Sequence, residues 1–216
     1  QIIDKFLEEN IEMQEKEVLD INEDLVRKDI LDSRLYGYLK VPKIHKLIQS
    51  SKTSSKVGQT AQENKQEIAQ FIIDNMQGDI LYLLGPGTTV KTIANYLKLP
   101  KTLLGIDAIY NKALIGEDIN EKEILNLLKT YSNAIIIVSP IGGQGYIFGR
   151  GNKQFTPEVI RRIGKDNIRI IATSEKMREL DCIRVDTGNI EVDNMLKGFN
   201  KVIIGYKEEL IFRIEC

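Results

Sequence analysis

The feature that most constrains this chain is Ala134-Ile135-Ile136-Ile137-Val138, five apolar residues in succession followed at once by a glycine-rich stretch. A short continuous apolar run ending at turn-forming residues reads as a strand buried on both faces, which requires covering layers above and below it. The chain around it alternates. Residues 61–76 carry Ile68, Ala69, Ile72, Ile73 and Met76 on one helical face, with Gly78 as a stop signal. Ile80 to Leu84 is an apolar strand, a helix is predicted from about Val90 to Leu97, and Leu103 to Ile109 is another strand. Ala113–Ile115 is a short strand, Asn120 caps a helix through Leu128, and Pro157 opens a helix at its first turn. Ile168–Ala172 is a strand, Ser174–Leu180 and Val192–Leu196 are helical, and Val202–Ile204 and Leu210–Ile214 flank a turn at Lys207-Glu208-Glu209. Strands alternating with helices predict an α/β fold, a mostly parallel sheet with helices on both faces, and the closing pair adds an antiparallel edge hairpin.

The front of the chain is different. Residues 2–9 have helical apolar spacing, Val18 and Ile21 alternate with polar neighbours, and Leu35 to Val41 favours a strand ending at Pro42. Residues 49–60 are rich in Ser, Thr and Lys and read as a mobile linker. With 30 basic and 31 acidic residues, no long-range attraction for nucleic acid or an anionic membrane is expected. No run of about 18 apolar residues exists, so no transmembrane helix is expected, and no signal peptide opens the chain; the few cysteines lead us to expect a reducing cytoplasm. His45 alone furnishes no histidine metal site, and Cys182 and Cys216 are expected to be free thiols.

Two segments are placed to hold a ligand, since ligands in such sheets bind at the carboxyl ends of strands. Gly85-Pro86-Gly87-Thr88-Thr89 follows a strand and opens a helix. Glycine lets a ligand approach the backbone, helix-start amides favour an anion, and the threonines add hydroxyls. A tight turn with threonine as helix cap explains the same residues. The second segment, Ser139 to Asn152, holds Gly142, Gly143, Gly145, Gly149 and Gly151, five glycines in ten positions. Arg150 offers a planar fork of donors for phosphate, and Gln144 and Asn152 offer neutral hydrogen bonds. The competing reading is a glycine-rich bulged hairpin built for packing. Asp107 and Asp186 stand at strand ends. Asp107 is a candidate for a ribose hydroxyl or metal-bound water, or else a turn residue, and Asp186 reads as a turn or cap residue.

Val138 to Gly145 with Gly149-Arg150-Gly151-Asn152 resembles the ATP-NAD kinase-like family related to the AcoX proteins. So do Leu19 to Glu23 with Arg34 to Pro42, Leu84 to Thr89 with Leu103 to Asp107, and Val185 to Gly188 with Gly205-Tyr206. The resemblance implies an enzyme that phosphorylates NAD with ATP or polyphosphate, with Mg2+, as a homo-oligomer. From composition and placement, the candidate ligand contacts are Gly85, Gly87, Thr88, Thr89, Asp107, Gly142, Gly143, Gly145, Arg150 and Asn152. NAD kinases carry a Gly-Gly-Asp-Gly-Thr motif in an amino-terminal domain, and this sequence has none. Residues 1–56 are therefore expected to be a connecting segment toward a missing kinase domain, and 57–216 the α/β domain. The alternatives are a non-catalytic nucleotide or sugar-phosphate sensor, or a kinase of another hydroxyl.

Overall fold

Two runs of β-favouring residues near the start pair with each other. In the computed structural model, which describes residues 13–21, 33–42 and 59–215, strands β1 (Met13–Ile21) and β2 (Ser33–Pro42) form an antiparallel hairpin. Its register shifts after Val18, opposite Gly37, whose φ of 148° admits the irregularity. The expectations for residues 2–9, His45 and 49–58 lie outside the described residues. The chain divides into two units, 1–55 and 56–216.

The second unit is built on a seven-stranded sheet. Its strands are β3 (Leu81–Leu84), β4 (Asp107–Tyr110), β5 (Ala113–Gly116), β6 (Ala134–Val138), β8 (Ile168–Ile171), β10 (Gly198–Gly205) and β11 (Glu208–Ile214), and β7 (Tyr146–Phe148) and β9 (Arg184–Val185) make a separate pair. The order is β11-β10-β8-β6-β3-β4-β5. β3, β6, β8 and β10 are parallel, while β11 and the β4–β5 hairpin run antiparallel at the two edges. The sheet is thus mixed, with an antiparallel pair at each edge rather than at one. The second hairpin turns on Asn111 and Lys112, both at positive φ (48° and 60°), as a two-residue hairpin turn requires. At the other edge Glu208 and Glu209 belong to β11 rather than to the turn, and Lys207 alone takes positive φ.

Helices cover both faces. α1 (Gln59–Asp74) and α2 (Thr88–Tyr96) lie on one side, where Ile68, Ile72, Val90 and Ile93 meet Leu84, Ile137 and Ile171. α3 (Glu121–Thr130), α4 (Pro157–Ile163), α5 (Ser174–Arg178) and α6 (Ile190–Leu196) lie on the other, where Ile124, Val159, Ile160, Met177 and Val192 meet Leu83, Ile136 and Ile170. Successive residues of β3 and β6 thereby feed opposite cores, which explains why these runs are apolar throughout. No helix among the described residues is long and apolar enough to cross a membrane.

Local signals set several boundaries. Pro157 is the first residue of α4, where its missing N–H costs nothing, and Thr156 caps it. Asn120 caps α3 in a reciprocal box with Glu123. Asn120→Ala should lower the unfolding free energy by about 1 kcal/mol, as read by urea denaturation.

Two expectations are corrected. The run 103–109 is not one strand, because β4 begins only at Asp107. Its first half coils around a buried ammonium: Lys101 Nζ donates to the carbonyls of Thr102 and Gly105 and to Asp107 Oδ2. Three acceptors converging on one donor are incompatible with an extended strand. Cys182 is buried and disulfide-bonded, so the expectation of two free thiols does not hold.

Candidate functional site: a crevice where the strand order reverses

From β3 the chain passes to β4 and β5 on one side and then crosses back to β6 on the other. α2, which follows β3, packs on one face, and α4, which follows β6, packs on the opposite face. Adjacent parallel strands whose connections diverge in this way leave a crevice at their carboxyl ends, the usual ligand position in α/β sheets. Both glycine segments spring from it. Their roots touch: Gly85 N–H donates to Ile137 O at 2.9 Å, and a Cβ on Gly85 would stand 3.1 Å from Val138 Cγ1 and 3.4 Å from Phe155.

The amides of the first segment are not all available. Those of Gly85 and Gly87 are spent on Ile137 and Leu103 carbonyls. What remains is the first turn of α2. Gly87, its N-cap, has φ 112° and supplies no side-chain cap, and a Cβ there would meet nothing within 4 Å. Thr88 Oγ1 accepts from Lys65 Nζ at 3.0 Å, and Thr89 is buried.

The second segment contains much of the packing hairpin that the glycines allow. Ile141 and Tyr146 bridge antiparallel around a turn at 142–145, with Gly142 at φ 62° and Gly145 at φ 73°. Gly145 lies against Leu180 and the Cys182 carbonyl, and Gly151 against Ile141. Gly149, at φ 89°, abuts the Asp186 carbonyl so closely that no side chain fits. Gly142 and Gly143 differ from these, being exposed at the turn. Arg150 is exposed and held on three sides: it donates to Gln144 Oε1 at 3.1 Å, pairs with Asp186 at 3.8 Å, and lies 4.3 Å over the Tyr146 ring. Asn152 is 1 % exposed; its Nδ2 donates to Ile147 O, while its Oδ1 has no hydrogen-bond partner. A buried acceptor without a donor is costly and uncommon, and a ligand hydroxyl or amide would relieve it.

Asp107 is fully buried. Its carboxylate accepts from Lys101 Nζ at 2.6 Å, Thr102 Oγ1 at 2.9 Å and Asp118 N–H at 2.9 Å. Burial is the largest influence on Lys101 and holds its ammonium below the usual lysine range, with Asp107 opposing. This pair sets the 101–107 loop, whose Leu103 carbonyl takes the Gly87 amide and so fixes the start of α2. Lys101 had no signature in the sequence; a lysine after a proline reads as a surface residue.

A cavity of about 510 Å3 lies elsewhere, at the amino-terminal halves of β8 and β10. Its rim charges are occupied by the protein itself: Lys165 on Lys197 O, Arg169 on Asp166 O, and Lys201 on Glu209. Position and chemistry both favour the crevice.

The fold and the crevice define a doubly covered α/β domain with its ligand position at a reversal of strand order. The model of the ATP-NAD kinase C-terminal domain family matches residues 77–214, more than half of the chain, and the chain belongs to that family. Function is therefore NAD kinase-like at the level of the family, with NAD and ATP the substrates it implies. No curated protein and no solved structure matches the chain.

Proposed function

We propose that this chain is the ligand-binding part of an enzyme that phosphorylates NAD to NADP with ATP or polyphosphate. The observation that carries this is the reversal of strand order between β3 and β6, with a glycine segment following each of these strands, in a member of an ATP-NAD kinase domain family. Phosphoryl transfer depends mainly on positioning and on charge stabilisation, and the crevice has parts for both. Gly85 lets the two segments start in contact. Gly87, Thr88 and Thr89 offer an open helix start, Gly142 and Gly143 an exposed turn shaped by Gly145, and Arg150 a guanidinium. Asn152 Oδ1 is a waiting acceptor. Asp107 acts through the loop beneath Gly87 rather than by touching the ligand.

When bound, ATP supplies the phosphoryl group and NAD the accepting hydroxyl. Among the described residues no three metal-binding side chains converge, so Mg2+ would be held chiefly by phosphate oxygens and water. On this reading the protein works in the cytoplasm as a homo-oligomer on small molecules, without nucleic acid or membrane partners.

Calorimetry with NAD and with ATP tests this. Arg150→Ala should weaken nucleotide binding roughly tenfold, the worth of one charge-assisted hydrogen bond. Equal affinity in the variant would remove Arg150 and its turn from the site. A second reading, a sensor of nucleotides or sugar phosphates, draws on the absent Gly-Gly-Asp-Gly-Thr motif and on the ion pair that occupies Asp107. Binding without turnover in the full-length parent would favour it, and turnover on another hydroxyl would redirect the acceptor.

A further inference from the structure

Gln144 is bonded by two arginines. Its backbone carbonyl accepts from Arg184 Nη1 at 2.6 Å, and its side-chain Oε1 accepts from Arg150 Nη1 at 3.1 Å. The turn around it is tied on both sides. The Arg184 N–H donates to the Gly145 carbonyl at 3.0 Å, and the Ile141 N–H donates to the Tyr146 carbonyl at 2.7 Å. With its backbone fixed in this way, Gln144 presents its side-chain amide from a set position. The sequence suggests that amide for a ligand, but its oxygen is given to Arg150.

The groups that hold Arg150 differ in charge. Gln144 is neutral and stands within hydrogen-bond distance. The Tyr146 ring, 4.3 Å below, attracts a cation without carrying a formal charge. Asp186 is charged, but it lies 3.8 Å away and both side chains are more than half exposed, so water screens the attraction. A carboxylate at position 144 would bond the guanidinium more strongly than an amide does, and would also cancel its charge. An amide orients the guanidinium and leaves that charge to act on something else. A cation aimed by neutral contacts at an exposed turn is suited to capturing an anion.

We propose that Gln144 is a positioning and specificity-determining residue: it aims Arg150 at a phosphate group of the ligand while leaving the guanidinium charge uncancelled. Arg184 supports it from behind by holding its backbone carbonyl. The inference deepens the nucleotide-binding reading and rests on it for the contact between Arg150 and the ligand. Gln144 acts through Arg150, and the neutrality of its side chain is what makes the turn select anionic groups.

The test is calorimetric titration of ATP into the 216-residue chain and its single variants. Gln144→Leu removes the tether and should weaken binding about threefold, the worth of one modest hydrogen bond. Gln144→Glu keeps the size and the acceptor but adds a charge, and should weaken binding roughly tenfold or more. A merely structural tether predicts the opposite order, because a carboxylate is the stronger partner for a guanidinium. Asp186→Asn should tighten binding about twofold by removing the competing charge. In the unaltered protein, ATP should slow the modification of Arg150 by phenylglyoxal, read by mass spectrometry, which needs no variant to fold. ATP binding in Gln144→Glu as tight as in Gln144→Leu, or an Arg150 left unprotected by ATP, would each overturn the proposal. Affinity lost in Arg150→Ala but unchanged in both Gln144 variants would sink the role of Gln144 and leave the broader reading standing. Affinity unchanged in Arg150→Ala would remove Arg150 from the site, and the role of Gln144 with it.

Discussion

Lys101→Met should destabilise the second unit by about 3–5 kcal/mol, the usual cost of leaving one member of a buried ion pair without its partner. Both side chains have no solvent exposure, and Asp107 would keep only Thr102 and the Asp118 amide. The loss should appear as a lower urea midpoint with an unchanged slope. Lys101→Met with Asp107→Leu should recover much of it, since two apolar groups impose no desolvation penalty. Recovery of stability without recovery of nucleotide affinity would mark the pair as the device that sets α2. Full loss in the double variant would mean that the carbonyls of Thr102 and Gly105, also served by Lys101, dominate.

Gly149→Ala should be the most damaging single change in the second glycine segment. The residue sits at φ 89°, and the new methyl would coincide with the Asp186 carbonyl. Backbone strain and forced displacement together suggest a cost of roughly 2–5 kcal/mol. The β7–β9 pair must part, because Asp186 N–H donates to Phe148 O beside it. Arg150 would lose its Asp186 neighbour, so nucleotide affinity should fall with stability. Gly142→Ala is the comparison: it is strained at φ 62° but has open space, so it should cost only about 1 kcal/mol. Equal losses in the two variants would show that φ, and not contact, governs this segment.

Much of this framework was legible in the sequence because the signals were local. The run 134–138 matches its strand, and Asn120 and Pro157 mark helix starts by side-chain chemistry that acts within one turn. The positions of the glycine segments at strand ends were legible for the same reason. Their amides were not: whether Gly87 N–H faces a ligand or Leu103 O depends on a loop set by Lys101, which carries no pattern of its own. The β4–β5 edge hairpin does not announce itself as a pairing, because Asn111-Lys112 lacks the glycine that commonly marks such a turn. Asn64 and Ser174 are separated by 110 residues, and only the tertiary fold lets the Asn64 side chain accept from the Ser174 amide.

The crevice has one more consequence. Its two walls, α2 and α4, are rooted in separate hydrophobic layers that the sheet keeps apart. A guest gripping both would rivet the two layers of the second unit, so saturation should raise the resistance of each layer to hydrogen exchange together, by the amount that mass action sets.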